Sequence, residues 1–321
     1  MKVVIGYNPM NIQGHLPDLQ KEFPSVDFVF CPKADELPAI IADADVYVGW
    51  PTRTAYLAAK KLKWVPVPGT GGDGVLSNVP ELVADDCIMT NIRGAHSVAI
   101  AESALAMILG FTRGIVKSVQ NQKQHKWAQR ELRSSMIQLT GSTLGIIGLG
   151  SIGRALAERA KSFGMHILAV DLFPNQKPGH VDELWGLERM GDLLSHSDYV
   201  VVTVPGTSQT SHMIGAAELA LMKPSAMLVL VSRGGVVDEK ALVEALHSKR
   251  LAAAALDVFE KEPLPAESEL WDTENLLLTA HISGGTPYEE IFTMQLLREN
   301  LDRFTKGNLA LRDIVDKKLG F

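Results

Sequence analysis

Hydrophobic residues along this chain gather in short runs of four to six, and the runs recur at intervals that leave room for a helix between them. In the first ninety residues the runs are Val3 to Tyr7, Val26 to Phe30, Val46 to Gly49 and Trp64 to Val67. Each is too short for a buried helix and is bounded by polar or turn residues, so the pattern predicts strands of a small parallel sheet. The rhythm restarts at Leu144 to Ile147 and continues through Ile167 to Val170, Tyr199 to Val204, Met227 to Val231, Ala252 to Leu256 and Leu276 to Thr279. Strands alternating with helical segments predict an α/β protein, here with six strands in the second, doubly wound parallel sheet.

Between the two sheet regions, Ser97 to Val116 is small and apolar on most faces, with Ala99, Ala101, Ala104, Leu105, Ile108 and Leu109 in it. A helix of that composition must be buried, and its place in the chain puts it at a domain boundary. A last helix, about Tyr288 to Phe304, follows Gly284 and Gly285 and is expected to return to the first domain. The polar segment Lys117 to Gln138 carries no assigned role.

The junction after Ile147 changes the picture. Three glycines, Gly148, Gly150 and Gly153, stand in GLGSIG between an apolar run and a helical pattern whose inner face would be Ile152, Ala155, Leu156, Ala160 and Phe163. This spacing suits a dinucleotide. The first glycine permits the tight turn, the second lets a pyrophosphate approach the backbone, and the third lets helix and strand pack closely. The amides of Ser151 and Ile152 then face the anion at the positive end of the helix. Asp171, at the end of the next run and 18 residues past Gly153, is close to the ~20 expected for the acid that holds a ribose hydroxyl. The same acid would repel a 2′-phosphate, which makes NAD the expected cofactor.

Composition adds mostly exclusions. The chain has 321 residues, 46% of them hydrophobic, enough for about two domains. A formal charge of −6 with both signs interspersed offers no basic stripe for nucleic acid. The two cysteines, Cys31 and Cys87, lack metal spacing and read as packed thiols, and no metal is expected. MKVVIGYN has too short an apolar run for a signal peptide, and no stretch approaches a membrane span, so a cytoplasmic location is expected.

Open α/β sheets bind ligands beyond the carboxyl ends of their strands, so each run can be asked what it delivers there. The glycine loop, Asp171 and Pro205 with the GTSQT loop follow the first three runs of the second half. Arg233 follows the fourth, Asp257 with a nearby acid the fifth, and His281 the sixth. An arginine, a carboxylate and a histidine beside a nicotinamide are the parts needed to reduce a 2-oxo acid. The arginine grips the substrate carboxylate in a fork, and the imidazole protonates the developing alkoxide. A paired carboxylate would hold its tautomer and favour its charged form. Spacing alone leaves that acid open between Glu260 and Glu262. In the first domain, PGTGGDG from Pro68 to Gly74 is either a plain flexible loop or a nest of amides for a carboxylate. Trp50 either walls a pocket or packs.

GLGSIG, SRGGVVDEKAL, ALDVFEKEPLP and TAHISGGTPYEE, in this order and at these spacings, resemble the signatures of the D-isomer-specific 2-hydroxyacid dehydrogenases, and the resemblance covers nearly the whole chain. It implies a catalytic triad of Arg233, Glu262 and His281, with Glu262 favoured over Glu260. Asp257 would bond the nicotinamide carboxamide, and the amides of Gly71 and Gly72 would bind the substrate carboxylate. It also implies a homodimer. The fold so implied has a Rossmann cofactor domain at 95 to 284 inserted into a flavodoxin-like substrate domain of 1 to 94 and 285 to 321, with the active site in the cleft. Leu230, Ala280 and Thr203 depart from the family's usual asparagine, proline and histidine without removing a catalytic group. Gly74 and Leu76 depart from the more polar end of its substrate loop, which bears on which 2-oxo acid is taken. A dinucleotide-binding sensor or corepressor is the alternative from another class, and retention of arginine, glutamate and histidine together argues for the enzyme.

Overall fold

Among the described residues twelve short runs form strands, and every pairing between them is parallel. The structure, a computed structural model, describes residues 1–6 and 10–320. Tyr7, at the end of the first predicted strand, and Phe321 lie outside the described residues. Contacts divide the chain into two units, Met1–His96 with Thr286–Phe321, and Ser97–Gly285.

The first unit holds β1 (Lys2–Gly6), β2 (Asp27–Cys31), β3 (Val46–Val48), β4 (Trp64–Pro66) and β5 (Ile88–Thr90) in the order β2-β1-β3-β4-β5. That is the flavodoxin-like order. β5 is absent from the sequence reading. Its apolar run, Cys87 to Met89, is only three residues long, shorter than the runs that mark the other strands of this unit. Trp64 on β4 is fully buried, with its indole N–H donating to Thr90 Oγ1 at 3.0 Å. The helix Tyr288–Thr305 belongs to this unit, where Met294, Leu297 and Leu301 join the core under β1 and β3.

The second unit holds β6 (Thr143–Ile147), β7 (His166–Val170), β8 (Glu183–Trp185), β9 (Tyr199–Val202), β10 (Met227–Leu230), β11 (Ala253–Leu256) and β12 (Leu276–Leu278). Their order is β12-β11-β10-β9-β6-β7-β8, so the sheet has seven strands where the sequence predicts six. The extra strand, β8, is a three-residue edge strand of intermediate or exposed residues, without the apolar signature used to find the others. Alternate residues point to opposite faces. Ile147, Val170, Val202, Leu230 and Leu256 enter one core, and Ile146, Ala169, Val201, Val229 and Ala255 enter the other. Burial on both faces is why these strands are continuously apolar.

Two helix expectations need correction. The apolar stretch after Ser97 is one helix only to Thr112. The chain turns at Gly114, whose φ is +65°, and a second helix, Ile115–Lys123, departs at 63°. The first of these helices, Ser97–Thr112, is buried against the helix Ser151–Ser162, within the second unit. On that latter helix Phe163 is not an inner residue. It is the C-cap and 39% exposed, while Gly153, Leu156, Ala157 and Ala160 are buried. Among the described residues no single helix is long and apolar enough to cross a membrane. Both cysteines are free and buried, and burial pushes the Cys87 thiol up to about 12.

Candidate active site

β6 has neighbours on both sides, β7 and β9, and the connections after it run in opposite directions across the sheet. This is the topological switch point, where such sheets bind ligands. Gly148 makes the turn there at φ +95°, with its N–H on Val170 O at 2.8 Å. Its carbonyl accepts from the Thr203 hydroxyl at 2.6 Å, so the residue that replaces the family's usual histidine braces the turn. A Cβ on Gly153 would collide with the Gly148 carbonyl, which is the close helix–strand approach foreseen for the third glycine. Gly150 is different. It caps the helix Ser151–Ser162, and a Cβ on it would meet nothing within 4 Å. Among the described residues no atom requires glycine there, which leaves room for a pyrophosphate at the backbone of Gly150, Ser151 and Ile152.

Asp171 follows β7 and reaches back to the same loop. Its Oδ2 accepts from Leu149 N at 2.6 Å and its Oδ1 from Phe173 N at 2.8 Å. The acid therefore shapes the glycine turn as well as presenting charge beside it. Pro205 follows β9, and its carbonyl accepts from Thr210 Oγ1 at 2.7 Å, which closes the GTSQT loop on itself.

Arg233 leaves β10 one residue after Ser232, with Nη1 on the Ser232 carbonyl at 2.8 Å. A Cβ on the next residue, Gly234, would collide with the Phe259 carbonyl, so this loop lies directly against the loop after β11. In that second loop Glu262 accepts from Phe259 N through Oε1 at 3.0 Å, and its Oε2 lies 2.7 Å from His281 Nδ1. The two side chains are 35% and 50% exposed. The carboxylate takes Nδ1, which leaves Nε2 as the imidazole nitrogen directed away from it. Glu260, the acid that spacing could not separate from Glu262, faces His212 and Glu239 instead.

Asp257 lies beneath the pair and is 1% exposed. Its Oδ1 accepts from Thr279 Oγ1 at 2.5 Å and Ile282 N at 3.0 Å, its Oδ2 from Ser283 N at 3.0 Å, and its carbonyl from His281 N at 2.8 Å. A carboxylate offers about four acceptor positions. Three are used to hold the His281 loop, in which His281 itself sits at φ +53°. That conformation is uncommon for a residue with a side chain and needs such support. Thr279 is the participant that the sequence reading missed. A hydroxyl at a strand end carries no signal until its partner is known.

In the first unit, the PGTGGDG loop is held from below. Gly69 O accepts from Ile92 N at 3.1 Å and Thr70 O from Asn91 Nδ2 at 2.8 Å. Gly71 is half-buried, and Gly72 is buried as the N-cap of the helix Asp73–Asn78. A Cβ on Gly72 would press on Met89, Val315 and the Gly320 carbonyl at 3.2 to 3.3 Å. The Trp50 ring lies over Gly69, within 3.2 Å of a Cβ placed there. Arg53, at the start of the helix Arg53–Ala58, gives Nε and Nη2 to Glu81 Oε1 at 2.8 and 2.5 Å.

Residues 105–283 match the model of the D-isomer specific 2-hydroxyacid dehydrogenase NAD-binding domain. The chain is 38% identical over 268 residues to a glyoxylate reductase from Thermococcus litoralis, covering 80% of this chain and 79% of that one. It is 35% identical over 298 residues to a D-3-phosphoglycerate dehydrogenase from Methanocaldococcus jannaschii, covering 89% of this chain but 55% of that longer protein. Among solved structures, an NADPH-dependent glyoxylate/hydroxypyruvate reductase from Sinorhizobium meliloti superposes with a TM-score of 0.85 at 25% identity over the full length of both chains.

Proposed function

Because this chain belongs to the D-isomer-specific 2-hydroxyacid dehydrogenase family, a family of NAD(P)-dependent oxidoreductases acting on CH–OH donors, we propose that it interconverts a small, unphosphorylated 2-oxo acid and its D-2-hydroxy acid, with NAD as its cofactor. The observation that carries this reading is the 2.7 Å contact of His281 Nδ1 with Glu262, on the same sheet edge as Arg233 and the glycine turn. The nicotinamide, when bound, supplies the hydride. Arg233 grips the substrate carboxylate and polarises the adjacent carbonyl. His281, its Nδ1 held by Glu262, gives a proton from Nε2 to the carbonyl oxygen, and in the reverse direction takes it back as neutral imidazole. The amides of Gly71 and Gly72 are the candidate donors to the substrate carboxylate from the first unit. Asp257 has one acceptor position left for the nicotinamide carboxamide.

Arg53 bears on the substrate. Taken as the candidate partner for a substrate phosphate in the first unit, it has Nε and Nη2 both on Glu81 Oε1. Glyoxylate and hydroxypyruvate are therefore expected to be reduced with higher kcat/KM than 3-phosphohydroxypyruvate. Loss of NADH absorbance with these three acids, pyruvate and oxaloacetate tests the proposal. Turnover of none of them by folded, NADH-binding protein would remove it.

The cofactor preference follows from Asp171. A carboxylate at the ribose position repels a 2′-phosphate, and Lys177, the nearest base, bonds the Val181 carbonyl at 2.7 Å. NADH is expected to be preferred over NADPH. Asp171→Ser should weaken both cofactors, because the Leu149 and Phe173 amides lose acceptors, yet shift the ratio of the two kcat/KM values towards NADPH. An unchanged ratio would remove Asp171 from this role.

A further inference from the structure

Glu262 can hold His281 only if its own loop is held, and the anchor of that loop lies outside the residues assigned to the reaction. The Glu260 amide donates to Glu239 Oε1 at 2.7 Å, and the Glu239 amide donates back to Glu260 Oε1 at 3.3 Å. Glu239 opens the helix Glu239–His247, whose N-cap Asp238 accepts from Ala241 N at 3.0 Å. This helix follows the loop that carries Arg233, so the reciprocal Glu239–Glu260 bond ties the arginine loop to the glutamate loop. His212, on the segment after β9, adds a third side through Nε2 to Glu260 Oε1 at 3.2 Å and through its amide to Gly235 O at 2.7 Å.

The arrangement is costly on its own terms. Burial pushes the Glu239 carboxyl above the ordinary carboxylate range; the Glu260 amide opposes this, and the charges of Glu260, Asp238 and Glu262 add to it. A residue chosen for stability alone would avoid three like charges. What the acid provides is an acceptor of the right length for the amide two residues before Glu262.

We propose that Glu239 is a positioning residue that, through the Glu260 amide, fixes the loop holding Glu262 against His281, and so sets the rate of proton transfer without touching substrate or cofactor. The inference rests on the reading of His281 and Glu262 as the acid–base pair.

Kinetics of Glu239→Leu, Glu239→Gln and Glu239→Asp test it, each per mole of NADH-binding sites. Leucine removes the acceptor, and loss of one charge-assisted hydrogen bond corresponds to a fall in kcat of about tenfold. Aspartate keeps the charge at the start of the helix but is one methylene too short, and should lose the same factor even if leucine fails to fold. Glutamine retains a carbonyl acceptor and should restore kcat to within about twofold. NADH affinity should be unchanged in all three. In a Glu262→Gln background, Glu239→Asp should cost nothing further, because the route runs through Glu262. An aspartate variant with full kcat, or one whose loss multiplies that of Glu262→Gln, overturns the positioning role. Full kcat in His281→Ala would instead overturn the acid–base reading beneath it, so the two failures are distinguishable.

Discussion

His281→Ala is expected to lower kcat by about 10²-fold or more, the usual scale for a positioned general acid, while NADH still binds. His281 is held through its backbone and through its ring. Its backbone N–H is on the Asp257 carbonyl at 2.8 Å and its Nδ1 is on Glu262 at 2.7 Å, so only Nε2 is left to meet a substrate oxygen. Its backbone at φ +53° is one that alanine adopts no more readily than histidine, so a thermal melt should accompany the kinetics to separate lost chemistry from a relaxed loop. Glu262→Gln leaves Phe259 N an acceptor and loses the charge beside the imidazole. The double variant should be no slower than His281→Ala alone, because the two side chains act as one unit. If the two losses multiplied, with chemistry verified as rate-limiting by a deuterium isotope effect, the coupling inferred from the 2.7 Å contact would be wrong.

The parts of this molecule legible in the sequence are those whose signal is local. β6 and the glycine turn are continuous in the chain, and each glycine announces a backbone requirement that the structure then supplies: a positive φ at Gly148, contact at Gly153 and open space at Gly150. Strands buried on both faces announce themselves by unbroken apolar runs, whereas β5 (IMT) and β8 (ELW) have apolar runs too short to stand out. The break after Thr112 was missed for the opposite reason. Composition reported that Ser97 to Val116 is buried, and one glycine at φ +65° decided that it is two helices.

Within the candidate site, single residues were legible by their position after strands, but their partners were not. The family resemblance implies that Asp257 bonds the nicotinamide. The structure gives three of its acceptor positions to Thr279, Ile282 and Ser283, all more than twenty residues away. Glu260 and Glu262 are indistinguishable by spacing, and only the fold turns one to His212 and the other to His281. Hydrogen bonds across such sequence separations depend on which strands become neighbours, which no local pattern encodes.

Arg233→Lys is expected to raise the Michaelis constant for the 2-oxo acid and lower turnover together, with kcat/KM falling roughly 10²-fold. The side chain rises from a base that cannot shift, since Gly234 lies against the Phe259 carbonyl with no room for a Cβ and the Arg233 Nη1 is on the Ser232 carbonyl at 2.8 Å. From that base a planar fork can give two parallel hydrogen bonds to a carboxylate and keep them as charge develops on the adjacent carbonyl oxygen. Lysine keeps the charge but is a point donor on a flexible stem. It loses one bond of the pair in the ground state, which raises KM, and the alignment of the carbonyl in the transition state, which lowers kcat. Loss of one charge-assisted hydrogen bond costs about 1.5 to 3 kcal/mol, which at about 1.4 kcal/mol per tenfold spans one to two decades. Affinity for NADH should stay within about twofold if the arginine has the proposed role of serving the substrate and not the dinucleotide. Kinetics within a factor of two of the parent, in a variant that melts at the same temperature, would return Arg233 to the standing of an ordinary arginine at a strand end.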